Sequence, residues 1–138
     1  MPSFPSSLRL ALCAAALGFP ALAQDAAEPA GQMEYLYNCS ACHGETALGD
    51  GPIARYLNVE TPGLTRLAAE NGGAFPMLHV IDVIDGRTDV GPHGSIMPIW
   101  GDRFTATALQ DAGRLRAEVI VRGRILSLAR YLETIQED

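Results

Sequence analysis

Residues 39–44 read Cys39-Ser40-Ala41-Cys42-His43-Gly44, and the use of these two cysteines and this histidine decides how the rest of the chain folds. A Cys-x-x-Cys pair serves as a redox dithiol, as half of a zinc site, or as a covalent anchor for haem. Each use requires a different protein around it.

The chain has 138 residues, enough for one domain. Its first 23 residues read as a leader: Ser6, Ser7 and Arg9 make a weakly positive start, residues 10–22 form an apolar run, and Ala21-Leu22-Ala23 offers the small-x-small pattern of a signal peptidase site. Cleavage is expected between Ala23 and Gln24, which implies a periplasmic or otherwise exported protein. The alternative is an uncleaved N-terminal membrane anchor, although the run is shorter than the roughly 20 residues that span a bilayer. Removing the leader reduces the cysteines from three to two by taking Cys13 away. Cys39 and Cys42 are too close in sequence to form a disulfide framework, and an oxidising compartment seldom leaves such a pair idle.

Without the leader the chain keeps 9 basic and 16 acidic residues, and every basic residue is arginine. This balance argues against a nucleic-acid partner and for redox partner proteins with a basic docking face.

Residues 24–30 are small, acidic and interrupted by Pro29, which reads as a flexible lead-in to a domain over 31–138. A short helix is expected from Gly31 into Cys39, with Met33, Tyr35, Leu36 and Tyr37 as its apolar groups. Residues 44–52 read as a Gly/Pro loop. A second helix is expected over 65–71, with Thr65 as N-cap and Gly72-Gly73 as the stop. A third opens at Pro76 and ends at Asp85-Gly86. Residues 88–100 hold glycines, two prolines and no sustained period, and read as a long, functional loop. Val121, Ile125, Leu128, Leu132 and Ile135 fall on one stripe of a terminal helix, with residues 115–121 in the same or an abutting helix and Gly123 as a weak point. No stretch alternates long enough to make a strand. The expected fold is all-α, with about four helices, long loops and so few large apolar side chains that a cofactor is wanted to complete the core.

A redox dithiol of the thioredoxin kind opens a helix after a strand, and no strand is in evidence. A zinc site wants four ligands, and only His79 and His93 remain to join the motif. Haem attachment fits: two thiols add across the porphyrin vinyl groups, and the adjacent His43 is held under the iron as its proximal ligand. Candidates for a sixth ligand are Met33, Met77, Met97, His79 and His93. Met97 is preferred because it lies in the long loop directly before Pro98, whose fixed φ stiffens the segment presenting the sulfur. His93 is the alternative.

Taken together, Gly31, Tyr35, Cys39, Cys42 and His43, then Gly51-Pro52, Met97-Pro98 and a last helix with Leu128-Ala129-Arg130-Tyr131-Leu132 resemble a bacterial, exported class I monohaem c-type cytochrome. The resemblance covers nearly the whole chain after the leader. It implies a cytochrome c fold wrapped around one covalent haem c, with Gly31, Tyr35 and Tyr131 packing the first helix on the last. It also implies that a loop proline, matched here by Pro52, accepts the Nδ1 proton of His43. Trp100, Tyr56, Arg55 and Arg87 become candidates to contact the haem propionates. Two features depart from the best-known respiratory members: no lysine is present to form their docking ring, and the segment between Met97 and the last helix is long.

His43 and Met97 together would close both axial positions. The expected function is therefore electron transfer, one electron at a time, rather than catalysis. The alternatives are a haem c subunit of a dehydrogenase or oxidase complex and a haem-based ligand sensor.

Overall fold

The computed structural model describes residues 23–87 and 97–137, so the leader and His93 lie outside the described residues. Every regular element among the described residues is helical. In chain order they are α1 (Ala23–Asn38), α2 (Ser40–His43), a 3₁₀ turn at Ala54–Tyr56, α3 (Leu67–Glu70), α4 (Met77–Asp85), α5 (Trp100–Ala112) and α6 (Arg114–Thr134). No described helix is long and apolar enough to cross a membrane.

The terminal stripe behaves as its spacing predicts. Val121, Ile125, Leu128 and Leu132 are buried, and the helix runs unbroken through Gly123. This helix is the spine of the molecule, with α1, α4 and α5 all packed against it. The third expected helix is also found, from Met77 to Asp85 with Pro76 before it and Gly86 in the left-handed conformation after it.

Three expectations are revised. First, α1 reaches back to Ala23, so residues 24–30 are helical, and it carries Pro29 within it. Second, of its four expected apolar groups only Tyr35 is buried, while Met33, Leu36 and Tyr37 are 56, 44 and 80 % exposed. Gly31, Tyr35 and Cys39 are the buried positions, four residues apart and so on one helical face. Third, Thr65 does not cap α3: it is buried, the helix begins at Leu67, and no side chain caps it.

The crossing of α1 and α6 follows from Gly31. A Cβ at this position would collide with the backbone carbonyl oxygen of Ser127 and lie 2.8 Å from Tyr131 Cβ. Only glycine lets the two backbones come so close. Tyr35 then meets Tyr131 with ring centroids 5.4 Å apart, and Arg124 of α6 forks onto Glu34 of α1 at 2.7 and 2.8 Å. Beyond α6 the chain end is tied down: Gln136 donates to Leu64 O at 2.8 Å and accepts from Ala68 N at 2.9 Å, and Glu137 N donates to Thr65 O at 2.7 Å. These bonds hold the segment that leads away from the site.

Candidate functional site

The Cys39–His43 stretch forms a single tight turn. Cys39 O accepts from Cys42 N at 3.1 Å and from His43 N at 2.9 Å, so residues 39, 42 and 43 stand at spacings of three and four and share one face. That face looks into a cavity of about 200 Å³ whose wall contains Asn38, Cys39, Cys42, His43, Thr61, Pro62, Met97, Pro98 and Trp100. Cys39, Cys42, His43 and Met97 therefore line one cavity, although Met97 lies 54 residues after His43. Apolar surface dominates the wall, and Glu60 is its charged residue.

The loop after His43 sets the ring's orientation. Gly44 and Gly49 have φ of +83° and +84°, and Ala47 joins them at 62°, so the chain reverses tightly enough for Gly49 N to bond His43 O at 2.8 Å. Leu64 N then bonds Ala47 O at 2.7 Å, and a Cβ on Gly49 would collide with Thr61 O. Residues 61–63 are thereby pressed under the histidine, where His43 Nδ1 donates to Pro62 O at 3.0 Å. Such a bond fixes the tautomer that leaves Nε2 as the basic nitrogen.

The proline at His43 is thus Pro62 and not Pro52. Gly51 N bonds Cys42 O at 3.1 Å and Ile53 N bonds Ala41 O at 2.9 Å, so this stretch folds back on the outside of α2 and leaves Pro52 exposed. The sequence contains another proline beside a glycine at Pro62-Gly63, and the resemblance alone pointed to Pro52. Arg55, Tyr56 and Arg87 do not line the cavity. Arg55 stacks on Tyr56 at 4.9 Å, while Arg87 pairs with Asp85 in a separate groove between α4, α5 and α6. Trp100 does line the cavity, against Phe104. Asn38 and Thr61 are wall residues that the sequence reading missed, since neither residue type stands out from its neighbours there.

Two titrating groups report the character of the interior. Burial pushes the Cys39 thiol up to about 12, with smaller contributions from Glu34 and Cys42. A thiol held protonated is a poor nucleophile for disulfide exchange. Tyr35 is held above its ordinary value, chiefly by burial and then by Cys39, Tyr131 and Asp50, and its hydroxyl donates to Gly44 O at 2.6 Å. Thr61 Oγ1 is buried and has no hydrogen-bond partner among the described residues. Among the described residues no three His, Cys, Asp or Glu side chains are grouped to hold a metal ion.

No family model matches the chain, and neither does any curated protein or solved structure. The functional reading therefore rests on the residues of the site.

Proposed function

We propose that the protein is an exported electron carrier of the class I c-type cytochrome kind, with one haem c held in the cavity between α2, residues 57–62 and residues 97–100. The observation that carries this reading is the convergence of Cys39, Cys42, His43 and Met97 on one largely apolar cavity. The donor set fits the group. Two thiols on one face of a turn suit two thioether bonds, and an imidazole with a thioether suits iron whose other four positions belong to a porphyrin. Two protein ligands then suffice, so the site needs no cluster of three. The partnerless hydroxyl of Thr61 at the wall is a donor for which such an occupant would offer an acceptor.

Bound there, a haem supplies one-electron exchange between Fe(III) and Fe(II). The chain's residues hold and tune it. Cys39 and Cys42 anchor, Pro62 O orients His43 and raises its basicity, and Met97 supplies a soft sulfur that favours the reduced metal. Trp100 and the apolar wall exclude water, which keeps the environment similar in both charge states.

The test is the optical spectrum of the purified protein, oxidised and reduced, beside Met97→Ala. Loss of the far-red sulfur-to-iron band in the variant supports the assignment. An unchanged spectrum would sink Met97 as ligand and promote His93.

A second reading, a haem c subunit of a dehydrogenase or oxidase complex, is favoured by a stripe on α6. Leu115, Val119 and Leu126 are 94, 72 and 46 % exposed, at spacings of four and seven residues on one face. Co-migration with a larger partner on size exclusion, lost in Leu115→Ser with Val119→Ser, distinguishes it from a free carrier.

A further inference from the structure

Asn38 and Trp100, both in the cavity wall, are joined through the interior by one chain of contacts. Asn38 Nδ2 donates to the Glu34 backbone carbonyl at 3.0 Å and to Glu34 Oε2 at 2.9 Å. Both partners only accept, so the amide nitrogen must face Glu34 and the orientation of Asn38 is chemically determined. The same carboxylate receives Arg124 Nε at 2.7 Å and Nη2 at 2.8 Å, a fork that a planar guanidinium makes and an ammonium cannot. The guanidinium carbon lies 3.9 Å from the Phe104 ring centroid, and the Phe104 ring lies 5.6 Å from that of Trp100. The path leaves the cavity on α1, crosses α6, and returns to the cavity on α5.

Trp100 requires such support. It is the first residue of α5, the extended Ile99 precedes it, and no side chain caps the helix there. First turns fray unless held. Phe104, one turn further on, is 2 % exposed and can hold the indole only as firmly as it is itself held. Arg124 packs over its ring, and the Glu34 fork keeps Arg124 in place. With side chains 27 and 20 % exposed, this pair is screened less by salt than a surface pair.

We infer that the Glu34–Arg124 pair is a positioning device for the cavity wall, fixing Asn38 directly and Trp100 through Phe104. Its effect on a reduction potential rests on the proposed function; its effect on the wall does not.

The chain has a single tryptophan, so the indole N–H cross-peak of the reduced, nitrogen-15-labelled protein reports Trp100 alone. Three variants are compared: Glu34→Gln and Arg124→Met, which remove the fork at similar volume, and Arg124→Lys, which keeps the cation without the fork. The expected result is a shift of several linewidths in all three while the helical circular dichroism is unchanged, accompanied by a displaced reduction potential. An indole peak at its wild-type position in folded Glu34→Gln overturns the inference, whatever happens to the thermal midpoint, because the pair is then only a tie between helices. Should the first two variants fail to fold, the milder Arg124→Lys decides by the same peak. Absence of a haem band from the unaltered protein would remove the proposed function and leave the indole comparison intact.

Discussion

Tyr35 has no exposed surface, yet its hydroxyl reaches Gly44 O at 2.6 Å, so one buried bond joins α1 to the turn after His43. Tyr35→Phe removes it and leaves Gly44 O with only its bond from Ala47 N at 3.2 Å, at an expected cost of about 1 kcal/mol in urea unfolding. The pH dependence follows from the raised phenol. The folded state holds this proton more tightly than the unfolded chain does, so the stability it confers is complete below the ordinary phenol value of 10.0 and is lost as pH climbs above it. The urea midpoint should be level through neutral pH and fall above about pH 10, and Tyr35→Phe should flatten that fall. At Thr61 the opposite sign is expected. Its hydroxyl is buried without a partner among the described residues, and the isosteric Thr61→Val should raise the unfolding free energy of cofactor-free protein by about 1 kcal/mol in a urea titration; a loss of stability would mean the hydroxyl is satisfied after all. Neither role was legible in the sequence, because a hydroxyl's partner is set by where distant loops come to rest.

At the scale of elements, legibility followed the strength of the period. The terminal helix carries its apolar residues at steps of four and three, and its buried face is the one those steps name. By contrast the sequence pattern assigns no element to residues 101–112, and only Trp100 of α5 falls in the expected loop, although Gly101, Phe104 and Ala108 make a buried face at spacings of three and four. Two of those three side chains are too small to register as apolar pattern, and the adjoining glycines and prolines drew the reading toward coil. In α1 the pattern misled for a related reason. Met33, Leu36 and Tyr37 face solvent, while Gly31, Tyr35 and, just past the helix end, Cys39 face inward. Gly31 is the position that sets the crossing, and its neighbour is backbone. Gly31→Ala should therefore cost about 1–3 kcal/mol as overpacking, measured by thermal or urea unfolding. Trimming Tyr131 should restore little of it, since the nearest obstacle is the Ser127 carbonyl, which no side-chain change moves. Full rescue by Tyr131→Ala would place the contact elsewhere.

For the molecule as a whole, the short motif was legible and its supports were not. Cys39, Cys42 and His43 announce themselves by spacing, and Met97 by its place before Pro98. The proline that meets His43 could not be chosen from the sequence, because the choice depends on how tightly residues 44–50 reverse, and three departures into positive φ, at Gly44, Ala47 and Gly49, bring Pro62 rather than Pro52 beneath the ring. The cavity these supports frame measures about 200 Å³. At about 24 cal/mol per Å³, filling such a volume is worth up to about 5 kcal/mol, an upper figure because the cavity opens partly to solvent. That is comparable with the whole stability of a small domain, so under the proposed function, with the occupant held through two thioethers, folding should depend on Cys39 and Cys42. Cys39→Ala with Cys42→Ala, expressed as the full chain, should lose several kcal/mol in urea unfolding or fail to accumulate as a folded protein. Cys42→Ala alone, keeping the buried Cys39 in place, should fall between. If the double variant unfolds at the wild-type urea concentration, the core is complete without a covalently held group, and the cavity must be read as a site for a freely exchanging ligand.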